Sequence, residues 1–62
     1  MLPGWHCWQR GKWRKRNMHV EQFGSQWEAM IAPGGNYAFL QTIGPFRTAT
    51  KAMREAEKAN RK

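Results

Sequence analysis

The sequence predicts an α+β domain in which a three-stranded antiparallel sheet packs against one C-terminal helix (βββα). Three observations predict this fold. Residues 26–32 place Trp27, Ala29 and Ile31 on one side, at the two-residue period of a half-buried strand. The turn-forming segment "PGGN" follows at residues 33–36. Beyond residue 48, small apolar residues recur at steps of three and four, the period of one helix face.

The three strands are predicted in order along the chain. Residues 17–23, "NMHVEQF", form the first, which ends at the turn signal Gly24-Ser25. Residues 26–32 form the second, and residues 37–43, which are aromatic and branched, form the third, antiparallel to the second across the "PGGN" turn. Proline cannot continue a strand ladder, so the sheet is expected to end at Gly44-Pro45.

The predicted helix begins at Thr48 or Thr50, either of which can act as its N-cap. Its apolar stripe consists mainly of alanine: Ala49, Ala52, Met53, Ala56 and Ala59. A stripe of such small residues lets the helix lie close to the sheet, so the bulky core residues must come from elsewhere. The expected suppliers are Trp27, Ile31, Phe39 and Phe46. The other face of the sheet is left open to water, to the N-terminal residues or to a partner.

Residues 1–16 show neither a helical nor a strand period and are predicted to form a basic arm ahead of a βββα domain at residues 17–62. The arm contains five cations and no acidic residue: Arg10, Lys12, Arg14, Lys15 and Arg16. Disordered segments have few aromatic residues, whereas this one has Trp5, Trp8 and Trp13. Part of the arm is therefore expected to fold back onto the domain.

The charge of the chain favours a polyanionic partner. Eleven Lys and Arg against four acidic residues, all glutamate, give a net charge of +7 in 62 residues. This excess is typical of nucleic-acid-binding proteins, although an anionic membrane or an acidic protein would also respond to it. No segment approaches eighteen consecutive apolar residues, and the alanine-rich helix is too poor in bulky groups for stable insertion, so no membrane partner is expected. One cysteine fits a reducing cytoplasm, either the host cell cytoplasm or the nucleoid.

Two motifs resemble a known family. "WEAMI" at residues 27–31 and "IGPFRTATKAM" at residues 43–53 resemble the DNA-binding domain of plant ethylene-response factors and its relatives in phage integrases and mobile-element endonucleases. The matching positions are Trp27, Ala29 and Ile31 in the second strand, Ile43, Gly44, Phe46 and Thr48 after it, and the helical Ala52 and Ala59. The resemblance covers roughly residues 18–60.

This resemblance implies a sheet that lies in the DNA major groove and reads bases with the face turned away from the helix. It also implies an accessory protein of a phage or mobile element. The family's outward strand positions are rich in Arg and Trp. The corresponding positions in this chain are His19, Glu21, Glu28, Met30, Leu40 and Thr42.

The function predicted from these features is that of a small accessory or regulatory protein, for example in transcription, that binds DNA, with RNA as the alternative. Lysine and arginine neutralise phosphates, tryptophan stacks on bases, and glutamine can bond to base edges. The predicted nucleic-acid-binding residues are Arg10, Lys12, Trp13, Arg14, Lys15, Arg16, His19, Gln22 and Gln26.

The sequence leaves two alternatives open. An open sheet face with Met30 and Leu40 would suit a phage-type protein that binds and inhibits a host protein, and it would also suit a homodimer.

Catalysis is not expected, because the chain has no Asp, no Ser-His-acid set and no Gly-rich phosphate loop. His6, Cys7 and His19 match no zinc-binding spacing, so no metal or cofactor is predicted.

Overall fold

The computed structural model describes residues 2–61, which form one antiparallel sheet and one α-helix. The elements are β1 (His6–Gln9), β2 (Lys12–Lys15), β3 (Met18–Phe23), β4 (Gln26–Ile31), β5 (Gln41–Phe46) and α1 (Ala49–Asn60). Each strand pairs with the next along the chain, so the sheet is a meander with β1 and β5 at its edges. The predicted class, α+β with an antiparallel sheet and a C-terminal helix, is confirmed. The sheet has five strands, however, and not three.

The two additional strands come from the residues predicted to be an arm. β1 and β2 form a hairpin around Arg10-Gly11, where Gly11 has a positive φ of 74°. β2 continues the sheet by pairing with β3. Two features explain why the sequence of β1 and β2 shows no two-residue strand period. A register shift between Cys7 and Gln9 interrupts the alternation of β1. In β2 a lysine, Lys15, lies on the same side of the sheet as the apolar Trp13, since they pair with the buried Met18 and Val20.

The third predicted strand begins later than expected. Residues 33–35 and 37–39 form two short 3₁₀ turns, and the Asn36 side chain accepts a hydrogen bond from the Ala38 amide at 3.0 Å. β5 then runs through Pro45, where the sheet was predicted to end. Proline is tolerated there because β5 is an edge strand, which has one side without a ladder partner.

α1 covers one face of the sheet by packing on β3, β4 and β5. Its N-cap is Thr48, whose Oγ1 accepts a hydrogen bond from the Lys51 amide at 3.1 Å. The buried apolar core consists of Trp5, Met18, Val20, Ala29, Ile31, Ala52, Met53 and Ala56. Of the four predicted suppliers of bulk, Ile31 is buried, and Trp27 and Phe46 pack against the core while partly exposed. The prediction for Phe39 is wrong: it lies exposed on a 3₁₀ turn.

Trp5, just before β1, supplies bulk that the alanine-rich helix lacks. Its side chain belongs to the core, and the residue is only 8% exposed. The indole Nε1 donates a hydrogen bond to Glu57 Oε2 on α1 at 2.9 Å. Lys15 Nζ donates to the same carboxylate oxygen at 2.9 Å and to the Pro3 carbonyl at 3.1 Å. The N-terminal segment, β2 and the helix therefore meet at one carboxylate.

This carboxylate gives the fold a predicted sensitivity to acid. The hydrogen bond from Lys15, followed by that from Trp5, holds the pKa of Glu57 below its ordinary value. Because the folded pKa is the lower one, the contribution of Glu57 to stability is full above the unfolded pKa, near 4.3, and is lost as the pH falls through the folded pKa. We expect Glu57→Gln to lower the urea midpoint at pH 7, and to lose less further stability than the parent below about pH 5.

The matched control for this prediction is Glu28→Gln, which removes a carboxylate from the far side of the sheet. Urea unfolding followed by circular dichroism, repeated across the acid range, measures both variants. If Glu57→Gln and the parent lost stability in parallel as the pH fell, the carboxylate would have no such role.

Candidate nucleic-acid interface

The face of the sheet turned away from α1 carries a row of side chains that crosses all five strands. The cross-strand pairs His6–Arg14, Arg14–His19, His19–Met30 and Met30–Thr42 follow one another. Directly opposed residues of antiparallel strands point to the same side, so this row lies on one face. We call the surface made by this row, together with Trp8, Lys12, Glu21 and Glu28, the open face.

Trp8 is the aromatic centre of the open face and is 43% exposed. The ammonium group of Lys12 lies over its ring, 5.4 Å from the centroid, at the distance of a cation–π contact. The His19 ring is tilted by 48° to the indole with its centroid 5.8 Å away. Glu21 Oε1 lies 3.6 Å from Lys12 Nζ and 3.2 Å from His19 Nε2. These contacts hold an exposed indole at the surface beside basic groups.

A concave pocket of about 530 Å³ adjoins the open face. It lies toward the end of the sheet where the turn between β2 and β3 approaches the connection between β4 and β5. Its lining consists of Gly4, His6, Trp8, Arg14, Lys15, Arg16, Asn17, Met18, His19, Met30, Tyr37 and Leu40. Among the residues that the structure describes, no acidic side chain lines the pocket, so every charged lining group there is a cation. Aromatic residues, Met30 and two arginines therefore line one cavity.

Four of the nine predicted site residues come together around this surface. Lys12, Arg14 and His19 lie on the open face, and Arg16 lies at the pocket in the turn after β2. Arg14 and Arg16 are both exposed.

The other five predicted residues lie elsewhere or are already engaged. Trp13 pairs with Val20 on the side facing the helix and packs against the core. Lys15 is among the lining residues of the pocket, but its ammonium group is bound to Glu57 on the helix side of the sheet. Gln22 pairs with Trp27 on the side facing the helix, and Arg10 and Gln26 lie at the end of the sheet remote from the pocket.

Two residues outside the nine predicted site residues contribute to the site, Trp8 and Tyr37. Trp8 was recognisable, because it lies among basic residues in the sequence. Tyr37 was not, because it precedes β5 on a 3₁₀ turn and reaches the pocket only through the fold.

The solvent side of α1 carries a second group of cations. Lys51 and Lys58 lie 3.2 Å and 3.9 Å from Glu55 Oε2, and the hydrogen bond from Lys51 lowers the pKa of that glutamate. Arg54 is exposed on the same helix. These charges lie on the opposite side of the sheet from the open face. A cation of α1 can therefore serve as a control for a substitution on the open face.

Comparisons with protein-family models, curated proteins and solved structures find no match to this chain. The architecture itself defines an α+β domain whose antiparallel meander has one face covered by a helix. Among residues 2–61, no helix is long and apolar enough to cross a membrane. Function is therefore inferred from the open face and its pocket.

Proposed function

We propose that this chain is a small, non-enzymatic nucleic-acid-binding protein and that the open face with its pocket contacts the nucleic acid. The observation that carries the proposal is that exposed Arg14, Arg16 and Trp8 line one cavity, whose described lining residues include no acidic side chain. Guanidinium groups bond to phosphates, and an exposed indole stacks on bases. Both interactions are available on one surface.

The distribution of ion pairs supports this assignment. Three of the four glutamates are paired with lysines: Glu21 with Lys12, Glu55 with Lys51, and Glu57 with Lys15. The cations in these three pairs are lysines, whereas the exposed cations at the rim of the pocket are Arg14 and Arg16. Arginine offers a planar fork of donors that suits phosphate geometry better than a single ammonium group does. The net charge of +7 adds long-range attraction.

An accessory or regulatory role suits a chain with one binding surface of this kind. The resemblance to the ethylene-response-factor and integrase-type domains makes DNA the first nucleic acid to test, with RNA of the same sequence as the second.

The test compares two exposed arginines, one on each side of the molecule. We expect Arg14→Ala to weaken oligonucleotide binding about tenfold at low salt, because one charge-assisted contact is lost. It should also reduce the slope of log affinity against log salt by roughly one. Arg54→Ala removes the same charge from α1 and should change both quantities much less. Mobility-shift or anisotropy titrations at several salt concentrations measure them.

Two results would overturn the proposal. The first is the absence of binding to any single- or double-stranded oligonucleotide, DNA or RNA, at low salt. The second is an equal loss for Arg14→Ala and Arg54→Ala, which would show that only the net charge matters and that the open face is not the site.

A second candidate function is the binding of a protein partner through the same face. It is favoured by Phe23 at one end of the sheet and Leu40 at the other, both large apolar side chains that are substantially exposed. Aromatic and apolar anchors dominate the energetics of protein interfaces. Such binding would vary little with salt, in contrast to the steep salt dependence of phosphate contacts.

A further inference from the structure

We infer that the pocket receives an unpaired nucleobase, so that the chain prefers single-stranded nucleic acid to duplex. This inference rests on the proposed function and specifies its substrate class. Three observations support it: the chemistry of the pocket lining, the position of Tyr37, and the fact that base faces are exposed in single strands but covered in duplexes.

The lining supplies the groups that hold a flat aromatic ligand. The rings of Trp8 and Tyr37 reach the pocket from different parts of the fold, one from edge strand β1 and the other from the connection before β5. Met30 lies on the open face and also lines the cavity, where its polarisable thioether suits an aromatic ligand. A volume of about 530 Å³ lies within the roughly 300–1,000 Å³ that is usual for sites that enclose small ligands.

Stacking requires access to the face of a base. In a duplex the faces of each base are covered by its neighbours, and only the edges are exposed in the grooves. Reading those edges in the major groove relies on Arg, Lys, Asn and Gln. On β3, β4 and β5 the row of the open face instead presents His19, Met30 and Thr42. Recognition by aromatic stacking is instead the mode by which proteins bind single strands.

The charge of the pocket indicates which part of the nucleotide accompanies the base. Every charged group in the described part of the lining is basic, which suits the phosphate that flanks each nucleoside. Lys15 Nζ is already bonded to Glu57 and to the Pro3 carbonyl, so phosphate contact falls to Arg14 and Arg16. The site therefore combines a stacking cavity for the base with guanidinium groups for the backbone.

The experiment compares three DNA oligonucleotides of equal length: a single strand, its duplex, and a single strand with abasic sites in place of its central nucleosides. The abasic strand keeps the phosphates and removes the rings. We expect the unaltered protein to bind the intact single strand at least about tenfold more tightly than the other two, since each stacked base contributes roughly 5- to 150-fold. Anisotropy titration at one fixed salt concentration measures all three.

A matched pair of variants tests the pocket itself. Tyr37 lines the pocket and Phe39 does not, yet both lie on the same 3₁₀ turn and are 68% and 67% exposed. We expect Tyr37→Ala to weaken binding of the intact single strand roughly 5- to 30-fold and to leave the abasic strand unaffected. Phe39→Ala should leave both affinities unchanged. Circular dichroism establishes that each variant is folded.

The outcomes separate this inference from the proposed function. Equal affinity for single strand, duplex and abasic strand would overturn the inference and leave a phosphate-binding protein. Equal losses for Tyr37→Ala and Phe39→Ala would likewise exclude the pocket as the base site. Failure to bind every oligonucleotide at low salt would overturn the inference together with the proposed function. The comparison of oligonucleotides uses the unaltered protein. It therefore tests the preference for unpaired bases even if a variant fails to fold.

Discussion

Replacing Trp5 by alanine is expected to unfold a large fraction of the protein at room temperature. Truncation of a buried tryptophan costs about 3 to 5 kcal/mol. A chain of 62 residues has a total stability of only about 3 to 9 kcal/mol. Two of the three buried positions of α1, Ala52 and Ala56, are alanines, so the helix offers little bulk to replace the Trp5 side chain. Urea unfolding followed by circular dichroism measures the effect.

Two further tryptophan variants make the Trp5 result interpretable. Trp5→Phe keeps an aromatic ring in the core and removes the hydrogen bond to Glu57, so we expect a smaller loss of about 1 to 3 kcal/mol. Trp8→Ala removes an exposed ring from the open face and should change the free energy of unfolding by less than about 1 kcal/mol. If Trp5→Ala were as stable as Trp8→Ala, the N-terminal segment would not be part of the core.

Replacing Met53 by alanine is expected to have the second-largest effect, a loss of about 2 to 5 kcal/mol. Met53 is fully buried and is the only large side chain on the core-facing stripe of α1. It packs within the same cluster as Val20 and Ile31 of the sheet. Shortening it would leave a cavity between two rigid elements that small residues on either side cannot fill. The same urea titration measures this loss.

The controls for Met53 separate its volume from its position on the helix. Met53→Leu conserves the volume approximately and should cost less than about 1.5 kcal/mol. Lys58→Ala changes an exposed position of the same helix and should be nearly neutral. A Met53→Ala variant as stable as Lys58→Ala would show that α1 does not depend on this contact.

Local pattern predicted the elements whose residues repeat with a clear period. β4 alternates between core and open face, the segment after it contains the turn residues, and α1 begins at Thr48, one of two candidates. β1 and β2 were missed, because their stability comes from pairing with β3 and from Trp5, which are interactions of the folded chain. Phe39 was misplaced because residues 37–39 form a 3₁₀ turn and not the start of the predicted strand, which leaves its ring exposed.

The candidate site was predictable only in its chemical composition. The basic and aromatic character of residues 8–16 identifies groups suited to a polyanion. The alternation along β2 then directs Lys12 and Arg14 to the open face, and Trp13 and Lys15 to the helix. Because the hairpin was not predicted, this division was not predicted either. Tyr37 joins the site from a connection more than twenty residues away.

The amino-acid sequence by itself determined the α+β class, the helix with its narrow apolar stripe and the large positive charge, because these depend on composition and on contacts between near neighbours. The tertiary structure alone decided that the basic N-terminal residues are strands, which of their side chains face solvent, and that Trp8, Tyr37 and two arginines surround one cavity. The physical reason is that strand pairing and face selection depend on long-range partners, which a local period does not specify.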